Sequence, residues 1–346
     1  MRLLRPVMVP LFPKSSPARL AGRLLLAIVG LVILWEVIRV VGLENQHTVI
    51  PGRVYRCAQP SESLLREEVE RHGIRTVINL RGFSTDTKWY STEARTSHAL
   101  NVSQEDITFS ANRLPAPAEL RRLVEVLDGT EYPVLIHCKR GADRTGLTAT
   151  IVHLLYTDAT LSQARRQLWP RYGHFEFGRT AAMDQFFNRY ESWLEARKES
   201  HSPARFREWI ANGYSPGPHL SKLTWLDPIP NPVPADKPFA VRLRAVNTSP
   251  EPWELKPGNY AGIHLDYMLA KDPTTAAYRG QAGLQRATIP PGGEIVFTLA
   301  VPPLKEPGQY ALVAQMIDAT GTGVPIRANS FVQFGDEAIL AEVIVK

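Results

Sequence analysis

Ten residues constrain this chain more than any other stretch: His137-Cys138-Lys139-Arg140-Gly141-Ala142-Asp143-Arg144-Thr145-Gly146. The run Pro133-Val134-Leu135-Ile136 before them is short and apolar, which suits a buried strand. Leu147 to Tyr156 after them is apolar at helical spacing. The order is therefore strand, loop, helix, with Cys138 at the strand's end. Such a loop turns successive backbone N–H groups inward, and the helix N-terminus adds partial positive charge. A thiol in that field is favoured as its thiolate. The same field attracts phosphate, and the planar fork of Arg144 can grip two phosphate oxygens.

The string resembles the active-site loop of the cysteine-dependent tyrosine and dual-specificity phosphatases, His-Cys-x-x-Gly-x-x-Arg-Ser/Thr-Gly, at every fixed position. The resemblance to bacterial and fungal-type atypical members covers residues 48–197. Tyr55-Arg56-Cys57 stands where they usually read Tyr-Arg-Ser, and Ile78-Asn79-Leu80-Arg81 is similar to their Ile-Asn-Leu-Arg. Arg171 to Thr180 resembles a segment common in bacterial members, and Asp184 matches a residue of the fungal-type inositol-pyrophosphate phosphatases.

The resemblance implies a phosphocysteine mechanism on Cys138, with Arg144 and the loop N–H groups holding the equatorial oxygens. Lys139, Arg140, Gly141, Ala142 and Gly146 complete the phosphate-binding loop. Thr145 would donate a hydrogen bond to the cysteine sulfur, and His137 would orient the loop. Gly141 and Gly146 allow conformations and close approaches that a Cβ would hinder. No metal and no other cofactor is required. Two carboxylates compete for the role of general acid. Asp106 lies upstream, where most of the family draws its aspartate, but Asp106-Ile107-Thr108-Phe109 can alternate as a strand. Asp143 lies inside the loop, as in myotubularin-like and Sac-like lipid phosphatases, and its position favours it. Its plainer role is a helix N-terminal carboxylate that satisfies the dipole.

Several residues keep two readings. Lys139 and Arg140 suit a substrate with several phosphates, or are solvated surface charges. Arg81 leaves the C-terminal end of a strand, where ligands gather in α/β sheets; it contacts substrate or makes an ordinary ion pair. His174 and Asp184 read as supporting residues. The chain has two cysteines, Cys57 and Cys138. They could pair as a redox switch, or Cys57 is a small buried apolar residue.

Leu24 to Trp35 is apolar without a break, and residues 24–43 just suffice to cross a bilayer as a helix. Arg2, Arg5, Lys14, Arg19 and Arg23 precede it. That basic flank should stay cytoplasmic as residues 1–23, which sends the rest across as a single-pass signal anchor. These residues, with Arg39 and Glu36, carry five of the six net positive charges, so the charge gives no argument for nucleic-acid binding.

After residue 213 the composition changes. A proline-rich linker is expected over 214–237 and an all-β domain over 238–346, with alternating runs at Phe239–Val246, Glu294–Val301 and Gly308–Met316. That segment resembles bacterial immunoglobulin-like modules through Asn247–Trp253, Pro290-Pro291-Gly292-Gly293 and Pro307-Gly308-Gln309-Tyr310. The expected fold is an α/β phosphatase domain (48–213) with a central, mostly parallel sheet flanked by helices. A membrane helix precedes it and an all-β immunoglobulin-like sandwich follows. The expected partners are a phosphorylated protein, lipid or inositol phosphate, the membrane, and envelope or carbohydrate surfaces touched by the sandwich. The rival reading is a surface protein that only senses phosphate.

Overall fold

The apolar run that ends at His137 becomes the middle strand of a five-stranded sheet. The computed structural model describes residues 17–42, 44–258, 261–272, 275–319 and 329–346. Helix α1 (Pro17–Gly42) leads to the hairpin β1 (His47–Ile50) and β2 (Val54–Cys57). Then come α2 (Glu62–His72), β3 (Thr76–Asn79), α3 (Lys88–Ala99) and β4 (Ser103–Asp106). They are followed by α4 (Pro117–Gly129), β5 (Val134–His137) and α5 (Asp143–Tyr156). The order across the sheet is β1-β2-β5-β3-β4, with β2, β5, β3 and β4 parallel and β1 antiparallel to β2.

Every residue of β2, β3 and β5 is buried, because elements pack on both faces of the sheet. The period of two divides the side chains between two cores. Val54, Ile78, Val134 and Ile136 face one, shared with α4, α5 and α7 (Ala182–Arg197). Tyr55, Cys57, Val77 and Leu135 face the other, shared with α2. Helix α2 is bounded as its sequence dictates: Ser61 Oγ accepts from Leu64 N, and Gly73 closes it at φ +64. The strand expected over Asp106–Phe109 forms earlier, as Ser103–Asp106. Its neighbour β3 ends at Asn79 opposite Asp106, so the parallel ladder stops there and a single antiparallel bridge from Arg81 to Thr108 follows.

A short helix (Leu161–Ala164) we label α6, and α8 (Pro203–Glu208) follows α7. Phe186, Phe187 and Tyr190 of α7 interlock with Phe206, Trp209 and Tyr214, with ring centroids 4.8–5.8 Å apart. This aromatic knot fixes α7 against the core.

The C-terminal part is all-β, with β6 (Ser221–Trp225), β7 (Phe239–Asn247), β8 (Trp253–Leu255), β9 (Ile263–Asp272) and β10 (Thr275–Ala282). It continues with β11 (Ala287–Ile289), β12 (Glu294–Val301), β13 (Gly308–Asp318), β14 (Asn329–Ser330) and β15 (Ile339–Val345). One sheet runs β12-β7-β6; another runs β10-β9-β13-β14, with β15 also on β13. Val241, Leu243, Leu299, Leu265, Leu269 and Leu312 share one core between them. Part of the expected linker is not a linker. Residues 221–225 pair with β7, and His219 bonds Asp318 at 2.9 Å while stacking on Phe334. The alternation in Ser221-Lys222-Leu223-Thr224-Trp225 is short, and surrounding prolines hide it.

The expected membrane span falls on α1. Leu43 and the side chains at 32–34, 37 and 39–41 lie outside the described residues. Among the described residues no helix is long and apolar enough to cross a membrane.

Replacing Phe186 by alanine opens a cavity inside the aromatic knot. Denaturant unfolding should show a loss of about 3–5 kcal/mol.

Candidate active site

The loop after β5 is shaped from outside. Lys139 O accepts from Gln59 N (3.4 Å), and Arg140 O from Asn45 Nδ2 (3.0 Å). Gly141 O and Ala142 O accept from one amino group of Arg56, at 2.6 and 3.4 Å. Each trans peptide carries its N–H opposite its C=O. With the carbonyls of 139–142 held outward, the N–H groups of 140–143 face inward. That is an anion cage, and α5 adds its N-terminal dipole. Cys138 lies at the strand's end, 2% exposed, within this loop.

Arg56 is fully buried on β2 and also bonds Gln167 O and Oε1, and its guanidinium lies 4.2 Å from the Tyr172 ring centroid. Burial lowers its pKa to about 10, so it stays charged at neutral pH. Gly141 has φ +67, and a Cβ there would come within 2.7 Å of the Cys57 and Ala58 backbone. Gly146 is needed for packing instead. A Cβ there would meet Leu168 and Gln167 O at 2.7 and 2.8 Å.

Arg144 donates one amino group to Leu80 O and Phe109 O, at 3.1 and 3.3 Å. Its Nε is buried without a hydrogen-bond partner, a donor that a bound oxyanion would satisfy. Arg81 lies 3.4 Å over the Trp89 ring and donates to Gln59 Oε1 at 2.6 Å. Burial and the neighbouring Arg144 charge both lower its pKa. The Arg81 guanidinium is thus close enough to feel both the Arg144 charge and the Cys138 sulfur. Lys139 and Arg140 point outward and are exposed.

His137 is tied to α3: Nε2 lies 3.1 Å from Glu93 Oε1, with both side chains buried. Glu93 Oε2 in turn accepts from Gln59 Nε2 at 2.5 Å. The Thr145 hydroxyl is buried and makes no hydrogen bond, so the expected bond to the cysteine sulfur is not formed. Cys57 and Cys138 are both free thiols. Burial, with Glu68, Glu44 and Glu93 nearby, pushes the Cys57 thiol well up, so it is a poor nucleophile.

The two carboxylates expected to compete are placed differently. Asp106 ends β4, two strands from Cys138's strand, and accepts from Asn79 Nδ2 (2.8 Å) and Tyr90 OH (2.5 Å). It braces β3 and α3. Asp143 opens α5, and its Oδ1 lies 2.8 Å from Nδ1 of the buried His174. His174 Nε2 lies 2.8 Å from Asp184 Oδ2. Burial pulls the His174 pKa down, but hydrogen bonds to Asp143 and Asp184 outweigh it and raise the value to about 9. Residues 107–116, whose Phe109 carbonyl rests on Arg144, contain no Asp or Glu.

Residues 40–157 match the family model described as the tyrosine phosphatase family. This stretch is a cysteine-dependent phosphatase domain. The chain is a phosphoric monoester hydrolase. Similar solved structures include TpbA of P. aeruginosa, 21% identical, covering 42% of this chain and 85% of that one at a TM-score of 0.34. The core catalytic domain of the PP-IP phosphatase SIW14 from S. cerevisiae, in complex with citrate, is 20% identical and covers 45% and 93% at 0.34. PTPMT1 in complex with PI(5)P is 17% identical and covers 44% and 98% at 0.33. No curated protein sequence matches the chain.

Sequence reading missed Arg56, Asn45, Gln59 and Glu93 as site residues. Arg56 stood inside a noted motif, but nothing in the string told that its side chain runs under a loop 85 positions away.

Arg56→Met leaves Gly141 O without its donor and Ala142 O with the Gly146 N–H alone. Chemical unfolding should register a loss of about 2–4 kcal/mol, and aryl phosphate turnover should fall ~10²-fold or more. The His174 bridge gives a pH signature. Its pKa is raised from ~6.5 to about 9, so its stabilisation is fully present below ~6.5 and lost as pH rises through about 9. Thermal midpoints from pH 6 to 10 should fall over that window in wild type, and less in Asp184→Asn.

Proposed function

We propose that the chain hydrolyses phosphomonoesters in two steps, with Cys138 as nucleophile and Arg144 with the loop amides as the oxyanion clamp. The outward capture of four loop carbonyls supports this reading more than any other observation. It leaves a preformed set of amide donors around the sulfur, which needs no reorganisation as charge develops. The thiolate attacks phosphorus, the leaving oxygen departs, and water then hydrolyses the phosphocysteine.

Asp143 is the general acid in this reading. It is the carboxylate on the loop itself, and the segment resting on Arg144 offers no other. Asp106 is engaged by Asn79 and Tyr90. Arg81 beside Arg144, with exposed Lys139 and Arg140, favours a substrate carrying negative charge beyond one phosphoryl group. An inositol phosphate or a phospholipid headgroup fits that field better than a singly phosphorylated neutral peptide.

The same reading places the enzyme at a membrane through residues 24–43, with the catalytic domain outside the cytoplasm. The basic residues before the apolar run support the orientation. The exposed Leu24, Leu25, Leu26, Ile28 and Leu31 support lipid as their solvent. The all-β part, residues 238–346, is read as an accessory module that contacts an envelope partner or carbohydrate. A C-terminal reporter fusion that reports cytoplasmic placement would reverse the orientation.

Purified protein should hydrolyse p-nitrophenyl phosphate under reducing conditions. Cys138→Ser should abolish turnover by on the order of 10³-fold or more. Arg144→Lys should cost ~10²-fold or more, because an ammonium cannot reproduce the fork. Wild type without turnover would leave only phosphate sensing. Comparing a phosphoinositide, an inositol phosphate and a phosphotyrosine peptide by kcat/KM tests the substrate class.

A further inference from the structure

His174 sits with a carboxylate on each ring nitrogen: Asp143 Oδ1 at 2.8 Å on Nδ1, Asp184 Oδ2 at 2.8 Å on Nε2. A neutral imidazole donates from one nitrogen only. Its bare lone pair would then face a carboxylate lone pair. The geometry therefore requires a proton in each bond, either as an imidazolium between two carboxylates or as a neutral ring with one carboxylic acid. In both forms one mobile proton lies between Asp143 and His174. Such a pair titrates as a unit.

Exposure orders the chain of groups. The His174 side chain is 0% exposed, Asp184 7% and Asp143 18%. The wet end is the one on the phosphate loop. The far end is anchored: Asp184 lies in the first turn of α7, 3.9 Å from Arg165, and Arg165 also pairs with Glu191 at 3.5 Å. The charged groups around His174 are thus Asp143 from α5, Asp184 from α7, and Arg165 with Glu191 behind Asp184.

We propose that His174 is a positioning residue that holds Asp143 at the mouth of the cage and shares with it the proton given to the leaving group. This rests on the assignment of Asp143 as acid. As the S–P bond forms and the ester P–O bond breaks, the proton crosses from Nδ1 to Asp143. A half-turn of the carboxyl presents it to the departing oxygen, which leaves as an alcohol. The ring is then neutral, with Nε2–H still donated to Asp184. In the second step water attacks phosphorus and the S–P bond breaks. Asp143 takes a proton from that water and returns it to Nδ1. Inorganic phosphate leaves and the thiolate is restored, so protons balance over the cycle. Shared with His174, whose pKa burial lowers but the hydrogen bonds to the two carboxylates raise to about 9, the proton is retained at neutral pH.

The test uses the full chain and two substrates. p-Nitrophenyl phosphate has a leaving group that needs little protonation; an alkyl phosphate such as glycerol phosphate needs it fully. His174→Asn keeps an N–H donor for Asp143 but carries no transferable proton. It should lower kcat/KM for the alkyl phosphate, which reports the leaving-group step and not phosphocysteine hydrolysis, ~30-fold or more, within the range of general acid catalysis, while kcat/KM for the aryl phosphate changes less than ~3-fold. The alkaline limb of the alkyl kcat/KM profile should move at least about one unit to lower pH. Asp184→Asn should move that limb in the same direction, and it decides the matter if His174→Asn does not fold. Equal losses on both substrates with an unmoved limb would reduce His174 to scaffolding and overturn the proposal, as would no change at all. Asp143→Asn separates the two readings. If it lowers turnover of the alkyl phosphate no more than that of the aryl one, Asp143 is not the acid. If it is selective and His174→Asn is not, only the shared proton fails.

Discussion

The buried guanidinium of Arg56 is the interaction on which the catalytic unit depends. It takes up the carbonyls of Gly141 and Ala142 from beneath, and Asn45 and Gln59 take up the two before them. Removing a charge of this kind from water is costly. Arg56 offsets the cost through its two amino groups, which reach two loop carbonyls and the carbonyl and amide of Gln167, and through the Tyr172 ring, while its Nε is left without a partner. The same bonds that satisfy it aim the loop's amides at the anion. Stability and function are thus written in one set of contacts.

Charge around the sulfur is arranged in two layers. Inside are Arg144, Arg81 and the amides, with positive groups close enough that burial and mutual repulsion lower the Arg81 pKa. Outside are carboxylates already engaged: Glu93 with His137 and Gln59, Asp106 with Asn79 and Tyr90, Asp184 with His174. The cage is therefore rich in positive charge, a field that suits a phosphate. Asp143 is the carboxylate that sits on the boundary between the layers.

Much of the fold was legible because local signals and tertiary needs agreed. Ser61 and Gly73 bound α2 as their chemistry dictates, and the apolar run before Cys138 is the buried middle strand. Legibility failed where a pattern was short or where partners were remote. The strand at Ser103–Asp106 is polar, half-exposed and set only by where β3 stops. Ser221–Trp225 looked like linker because prolines flank it, yet it completes a sheet. His174 and Asp184 were noted as supporting residues, but their joint grip on Asp143 joins positions 143, 174 and 184, and spacing alone shows no such triangle.

The sequence by itself determined the chemistry at the centre. Cys138, Gly141 and Arg144 at fixed spacing between a strand and a helix leave few alternatives, because a strand–loop–helix turn brings a thiol, a guanidinium and a helix N-terminus together. Only the tertiary structure decided what holds that loop and what serves it. The donors that turn its carbonyls outward come from residues 45, 56 and 59, and the histidine beside Asp143 from residue 174. A hydrogen bond needs groups within about 3 Å, and only the folded chain brings residues so far apart in sequence to that distance.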